Sequence, residues 1–212
     1  MILVTSADGR WPCDLCQIFV SETGEQRYYL GSLAAANHVK QHNENTDAPI
    51  SMVLSFCGRE MQKIRGQPYE GWEHCFRSAN VTHHAWSMDD VKTNHNFRPD
   101  VCADMAQQWF TMWIQMCEEL MLYETACAHA ILPLTVLFHC FGGIHRSSAA
   151  LCAWLLFRHD LSPMESLCLL LKVRPSLAPW TQRDHVFWVL HEWYCQREAL
   201  RDLVRLTTCR PE

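Results

Sequence analysis

The stretch VLFHCFGGIHRSS, residues 136–148, constrains the fold of this chain more than any other part of the sequence. A short apolar run ends at His139 and Cys140, a loop with two glycines follows, and Arg146 opens a long apolar segment with helical character. This order predicts a buried strand that leads into a buried helix through a tight loop. Backbone N–H groups of such a loop and the N-terminus of the next helix attract negative charge. We therefore predict a site for an oxyanion or a thiolate in residues 140–146, called the cysteine loop below.

The remainder of the chain predicts a single α/β domain. Its 212 residues suffice for one well-packed core, and 49% hydrophobic against 19% charged residues is typical of a globular protein. We predict an irregular arm over residues 1–15 and the domain over residues 16–206, with a surface insertion near 58–82. Strands are predicted at 16–20, 27–31, 51–57, 81–86 and 131–139, and helices at about 33–42, 100–128, 146–157, 163–172 and 181–206.

Two of the predicted helices carry specific signals. Ser162-Pro163-Met164-Glu165 has the pattern of a capping box with proline at the first helical position. The helix over 100–128 has apolar residues at three- and four-residue spacings, which predicts one face packed in the core. The residues of this face are Met105, Trp109, Met112, Trp113, Met116 and Leu120.

Charge and cysteine usage limit the partners and the compartment. The formal net charge of −5 gives no basic footprint, so we expect no nucleic acid partner. The longest apolar runs are too short for a membrane span, and the N-terminus does not resemble a secretory signal. Twelve cysteines without such a signal predict mostly buried, reduced thiols in the cytoplasm or the nucleus. Cys13 and Cys16 have metal-ligand spacing but lack a second pair, so we predict no metal and no cofactor.

The chemistry of the cysteine loop depends on a thiol at its entrance and a guanidinium at its exit. A thiol attacks only as a thiolate, and inward N–H groups, a helix N-terminus and Arg146 all favour that charged form at Cys140. The same groups bind phosphoryl oxygens, and an arginine grips two oxygens at once, which a lysine does not. The loop therefore predicts electrostatic stabilisation of a transferring phosphoryl group.

The pattern His-Cys-x5-Arg-Ser, with Gly143 at the third position after the cysteine, resembles the signature of the protein tyrosine phosphatase superfamily. The Tyr-Leu-Gly element before an alanine-containing helix and the VRPSLAPW segment resemble the dual-specificity branch. The resemblance implies an α/β fold with a central, mainly parallel sheet flanked by helices. It also implies a phosphatase that acts through a cysteinyl-phosphate intermediate.

This resemblance assigns a role to each residue of the motif. Cys140 would be the nucleophile, Ser147 would hydrogen-bond its sulfur, and His139 would order the loop. The backbone of Phe141, Gly142, Gly143, Ile144 and His145, together with Arg146, would bind the phosphate. Related domains commonly have alanine where this chain has Gly142 and a small residue where it has His145. His145 would then cover the arginine, touch substrate or face solvent.

The general acid has two candidates in this sequence. Asp89 and Asp90 follow the predicted strand at 81–86, where related domains carry an aspartate on a movable loop. Asn94 stands five residues after Asp89, as a polar residue commonly does after the family's acid, which favours Asp89 over Asp90. If neither carboxylate reaches the leaving group, the loop would bind phosphate without efficient turnover.

Three functions remain open on the sequence. The first is a cysteine-dependent phosphatase for phosphotyrosine, with phosphoserine and phosphothreonine, in protein substrates. The second is a catalytically weak module that docks phosphorylated partners. The third is a phosphatase for phosphoinositides or RNA 5′ ends, which the absence of lysine from the cysteine loop disfavours.

Overall fold

The structure is a computed structural model that describes residues 4–5, 12–13, 15–57, 76–77, 79–87, 99–177 and 184–208. The strands are β1 (Val4–Thr5), β2 (Pro12–Cys13), β3 (Cys16–Val20), β4 (Gln26–Gly31), β5 (Met52–Ser55), β6 (Thr82–Ala85) and β7 (Leu134–His139). The α-helices are α1 (Leu33–Asn37), α2 (Val39–Asn43), α3 (Pro99–Ala130), α4 (Arg146–Arg158), α5 (Pro163–Val173) and α6 (Asp184–Thr208). A 3₁₀ turn spans Pro175–Leu177.

Five of the strands form one sheet in the order β3-β4-β7-β5-β6. The β3–β4 pair is antiparallel, and the other three pairs are parallel. All six residues of β7 are buried, as are all four of β5, which fits strands with neighbours on both sides. The predicted α/β class with a mainly parallel sheet is confirmed.

The N-terminal arm differs from its prediction. Instead of being irregular throughout, it contains the antiparallel pair β1–β2, with Val4 opposite Cys13 and Thr5 opposite Pro12. A two-residue pairing has no hydrophobic period long enough to be recognised in a sequence, so the prediction missed it. The division into an arm and a domain at residues 15 and 16 remains a prediction.

The helix predicted over 33–42 is interrupted, and this is a second difference. His38 separates α1 from α2 with φ −104° and ψ 9°, outside the helical region, while its N–H still donates to the Ala35 carbonyl at 3.1 Å. Asn37, His38 and Val39 are all poor helix formers, so a break here costs little helical free energy. Ser32 caps α1, accepting a hydrogen bond from the Ala35 N–H.

The strand predicted over 131–139 begins at Leu134, three residues after its predicted start. Ile131 has a left-handed backbone (φ 55°) and is 92% exposed, so it belongs to the turn that ends α3. Pro133 cannot donate to a sheet ladder and lies just before the first paired residue, Leu134. The other predicted strands and helices that lie within the described ranges are present, and their described ends match the prediction or differ from it by one or two residues. Residues 58–75 and 78 of the predicted insertion lie outside the description.

The chain contacts divide into two compact units, residues 1–89 with 132–148, and residues 90–131 with 149–212. The first unit contains both sheets, α1, α2 and the whole cysteine loop. The predicted insertion near residues 58–82 also falls in this unit and stays a prediction.

In the second unit, α3 packs against α6 through aromatic side chains. Trp113 lies 5.2 Å from Trp193, centroid to centroid, and the Trp193 indole N–H donates to the Ala153 carbonyl of α4 at 3.0 Å. The predicted apolar face of α3 is confirmed as core at four described positions, whereas Met112 is half-buried and the Met105 side chain is not described. The four buried residues are Trp109, Trp113, Met116 and Leu120.

The predicted start of α5 is also confirmed. The Ser162 N–H donates to the Glu165 carboxylate at 2.8 Å, and the Glu165 N–H donates to the Ser162 hydroxyl at 3.3 Å. The Ser162 N–H and then the Ser162 hydroxyl, which both donate to the Glu165 carboxylate, hold the pKa of Glu165 below its ordinary value. None of the helices within the described ranges combines the length and the apolarity needed to cross a membrane.

Candidate active site

The cysteine loop begins at the carboxyl end of the central strand. β7 lies between β4 and β5, with His139 opposite Gly31 on one side and Ser55 on the other. The loop therefore starts where the neighbouring strands also end, and ligands of parallel sheets bind at this edge. The loop ends at Arg146, the first residue of α4, so the positive end of that helix faces the loop.

Cys140 and Ser147 are brought into contact by this arrangement. The Ser147 hydroxyl donates a hydrogen bond to the Cys140 sulfur at 3.3 Å, and both residues are buried, with Cys140 2% exposed. A hydroxyl donor stabilises a thiolate more than a thiol, because the charged sulfur is the better acceptor. Two residues that lie seven positions apart in the sequence are thus in direct contact.

Arg146 is also buried, with 3% of its surface exposed. A guanidinium is rarely buried unless an anion or other hydrogen-bond acceptors are near it. A phosphoryl group held in the cysteine loop would supply such acceptors. Phe141 is 53% exposed, whereas Gly142, Ile144 and His145 are half-buried.

Gly143 fixes the loop against the end of β4. Its backbone is left-handed (φ 64°), and a Cβ atom there would lie 2.5 Å from the Gly31 carbonyl oxygen and 2.8 Å from the Ser32 nitrogen. Nearby, the Leu33 N–H donates to the Phe141 carbonyl at 3.1 Å. The loop is therefore packed backbone to backbone on the β4–α1 junction, which accepts only glycine at this position.

Replacing Gly143 with alanine is expected to lower the free energy of unfolding by about 3 kcal/mol, because the added Cβ atom would meet the Gly31 backbone and the left-handed backbone disfavours a side chain. The matched control is Gly142→Ala. A Cβ at Gly142 would meet only the Ile144 side chain, at 3.7 Å, so the free energy of unfolding of this variant should stay within about 0.5 kcal/mol of the wild type. Urea titrations of the two variants check the prediction, and equal losses in both would contradict it.

A chain of side-chain hydrogen bonds lies behind the loop. His139 is fully buried; its Nδ1 is 3.4 Å from the Cys140 carbonyl oxygen and its Nε2 bonds the Ser55 hydroxyl. The same hydroxyl is 2.8 Å from His83 Nε2. His139 thus contacts Cys140, and Ser55 and His83 continue the hydrogen bonds away from the loop. The supporting role of His139 stays a prediction.

Burial keeps both histidines neutral. Burial and then the nearby His83 lower the pKa of His139 to about 3, despite an opposing hydrogen bond to the Cys140 carbonyl. Burial and then the nearby His84 lower the pKa of His83 to about 4. Neither histidine is therefore protonated near neutral pH, which agrees with a supporting role rather than a general-base role for His139.

The lowered histidine pKa values predict a loss of stability in mild acid. Between pH 6.5 and about 4 the unfolded chain binds protons that the folded chain excludes, so the free energy of unfolding should fall as the pH falls. Each such histidine contributes at most about 1.4 kcal/mol per pH unit. Urea titrations at pH 7.5, 6 and 5 check this, with His83→Gln expected to flatten the slope. Constant stability across this window would contradict it.

The sequence alone did not identify Ser55 or His83 as part of the site. The sequence did contain a signal for a buried hydrogen bond at Ser55. This residue is the one hydroxyl residue in the apolar run MVLSF, and a buried hydroxyl needs a hydrogen-bond partner. Both acid candidates, Asp89 and Asp90, lie outside the described residues, so their assignment stays a prediction.

Comparison with known proteins gives matches in structure and none in sequence. No protein-family model matches the chain, and no curated protein matches it significantly. Kinase-associated phosphatase, solved with its catalytic-site cysteine changed to serine, aligns with a TM-score of 0.57 at 17% identity, covering 90% of this chain and 98% of that one. PTPMT1 aligns with a TM-score of 0.56 at 19% identity, covering 87% and 96%. This chain has the fold of the cysteine-based dual-specificity phosphatases.

A third match extends the likeness. The Yvh1 phosphatase domain from Chaetomium thermophilum aligns with a TM-score of 0.51 at 19% identity, covering 86% of this chain and 96% of that one. The dual-specificity phosphatase fold therefore accounts for most of the chain. At these identities the likeness concerns the fold alone.

Proposed function

We propose that this protein is a cysteine-dependent phosphatase that hydrolyses phosphotyrosine, and also phosphoserine and phosphothreonine, in protein substrates. The observation that carries the proposal is the 3.3 Å hydrogen bond from the Ser147 hydroxyl to the Cys140 sulfur. That bond lies in a loop fixed by glycine and ended by a buried arginine at a helix N-terminus. This reaction needs a thiolate nucleophile, which that hydrogen bond would stabilise, and a site that binds the phosphoryl oxygens.

The proposed reaction has two displacement steps. In the first, the Cys140 thiolate attacks phosphorus, the bond from phosphorus to the leaving oxygen breaks, and Asp89 or Asp90 protonates that oxygen. In the second, water attacks phosphorus, the same carboxylate removes its proton, and the S–P bond breaks to release phosphate and the thiolate. The Ser147 hydroxyl stabilises the sulfur as it leaves. Arg146 and the loop N–H groups stabilise the phosphoryl oxygens in both steps.

Hydrolysis of p-nitrophenyl phosphate in the presence of EDTA tests this function. The wild type should turn over, and one of Asp89→Ala and Asp90→Ala should lose about 100-fold in kcat, as loss of a general acid does. Asp47→Ala, which removes an exposed carboxylate of the first unit, is the matched control and should keep full activity. A wild type that binds phosphopeptides but does not turn over would instead support the docking module.

The substrate class is tested separately. PTPMT1 has been solved in complex with PI(5)P, so a phosphoinositide is the main competitor for a protein substrate. The cysteine loop of this chain lacks a lysine that would bind further headgroup phosphates, which favours phosphoproteins. Phosphate release from phosphotyrosine and phosphothreonine peptides should exceed release from short-chain phosphoinositides. The reverse order would refute this assignment while leaving the cysteine mechanism intact.

A further inference from the structure

The hydrogen bonds behind the cysteine loop have one consistent direction. The Cys140 carbonyl oxygen only accepts, so the neutral His139 carries its proton on Nδ1 and donates there. His139 Nε2 is then an acceptor, and the Ser55 hydroxyl donates a hydrogen bond to it. The Ser55 oxygen in turn accepts from the His83 Nε2–H at 2.8 Å. These hydrogen bonds therefore fix the tautomers of His139 and His83 and the rotamer of the Ser55 hydroxyl.

The strand register explains why these three side chains meet. Ser55 is paired with His139 across β5 and β7, so their side chains project from the same face of the sheet. His83 is paired with Val53 across β5 and β6, two residues before Ser55, and therefore projects from that face too. Ser55 and His139 have no exposed surface, so water does not compete for the hydrogen bond between them. A buried polar chain of this kind specifies one arrangement of its members.

We propose that Ser55 and His83 are positioning residues that act through His139 to hold the Cys140 peptide, and with it the nucleophilic sulfur, in its reactive place. The kinetic part of this inference rests on the proposed phosphatase function. The positioning itself does not, because the reactivity of the Cys140 thiol is measurable without any substrate.

Two measurements on Ser55→Ala test the inference. The first is kcat and KM for p-nitrophenyl phosphate, where we expect kcat to fall about 10-fold with KM nearly unchanged, because the sulfur is displaced while the phosphate cradle remains. The second is the alkylation rate of Cys140 by iodoacetamide, followed by peptide mass spectrometry, where we expect a severalfold change. Ser51→Ala is the control. Its hydroxyl also bonds a β7 carbonyl, that of Thr135, at the other end of the strand pair.

The His83 variants separate hydrogen bonding from packing. Leucine at position 83 fills space but offers no donor, whereas glutamine still offers an N–H to Ser55. We therefore expect His83→Leu to resemble Ser55→Ala and His83→Gln to recover most of the lost rate and thiol reactivity. His84→Ala controls for loss of a histidine on the same strand, since His84 stacks on Trp86 on the opposite face.

The outcomes are distinct. Unchanged kcat and unchanged Cys140 alkylation in Ser55→Ala and His83→Leu would overturn the inference, as would equal losses in His83→Gln and His83→Leu. Nitrogen-15 NMR of wild-type histidines should show His139 neutral with its proton on Nδ1 from pH 8 to 5, and an Nε2–H tautomer would also overturn it. If the wild type does not hydrolyse any phosphate ester, the proposed function fails, and the alkylation rates still decide the positioning role.

Discussion

Changing Cys140 to serine is expected to lower kcat for an aryl phosphate by at least about 10⁴-fold, the scale of loss when a catalytic nucleophile is removed. Serine keeps the size and the hydrogen bonding of the side chain, but its hydroxyl is almost wholly protonated at neutral pH and is a poor nucleophile. The Ser147 hydroxyl, 3.3 Å away, donates to the sulfur and is not a base that could activate serine.

The control for this variant is the exposed cysteine of α5, changed in Cys168→Ser. That variant should keep full activity, because Cys168 is exposed on α5 and is not part of the cysteine loop. The Cys140→Ser protein should still bind phosphopeptides, because Arg146 and the loop backbone are unchanged. Activity of Cys140→Ser near that of the wild type would show that Cys140 is not the nucleophile.

Changing Arg146 to lysine is expected to lower kcat roughly 100- to 1,000-fold, the range seen when one donor to a developing oxyanion is lost. Lysine keeps the charge but not the planar fork that holds two phosphoryl oxygens. Because Arg146 is 3% exposed, the shorter-reaching ammonium would also have to be desolvated at the same place. The effect should therefore exceed that of a charge-conserving change at the surface.

Arg158→Lys is the matched control for that change. Arg158 ends the same helix, α4, and its guanidinium holds Glu124 through two nitrogens at 2.9 and 2.7 Å. Lysine there also loses a forked pairing, but one that is partly exposed and contributes little to stability. Comparable losses in kcat at positions 146 and 158 would show that the Arg146 effect is on folding rather than on phosphoryl transfer.

The cysteine loop was predictable from the sequence because its chemistry depends on residues that are close along the chain. The strand at 134–139, the glycine at position 143 and the helix from Arg146 are local patterns, and each is present in the structure. The 3.3 Å contact between Ser147 and Cys140 follows from the same short loop. Their roles in a reaction stay proposals until they are measured.

The polar chain behind the loop was not predictable in the same way. Ser55, His83 and His139 come from three strands separated by 28 and 56 residues of sequence, and only the order of the parallel strands brings them together. A single serine in an apolar run indicates a buried partner but not which one. Likewise, nothing local shows that Gly143 packs on the Gly31 backbone, although its place in the motif predicts a glycine.

We expect Cys140 to carry the phosphoryl group during turnover. Mass spectrometry of wild-type protein, rapidly quenched while it hydrolyses p-nitrophenyl phosphate, tests this directly. We predict a phosphorylated peptide containing Cys140 in the wild type and its absence in Cys140→Ser. Turnover by the wild type with no phosphoryl group on Cys140, at quench times when product is forming, would show that Cys140 does not form the intermediate.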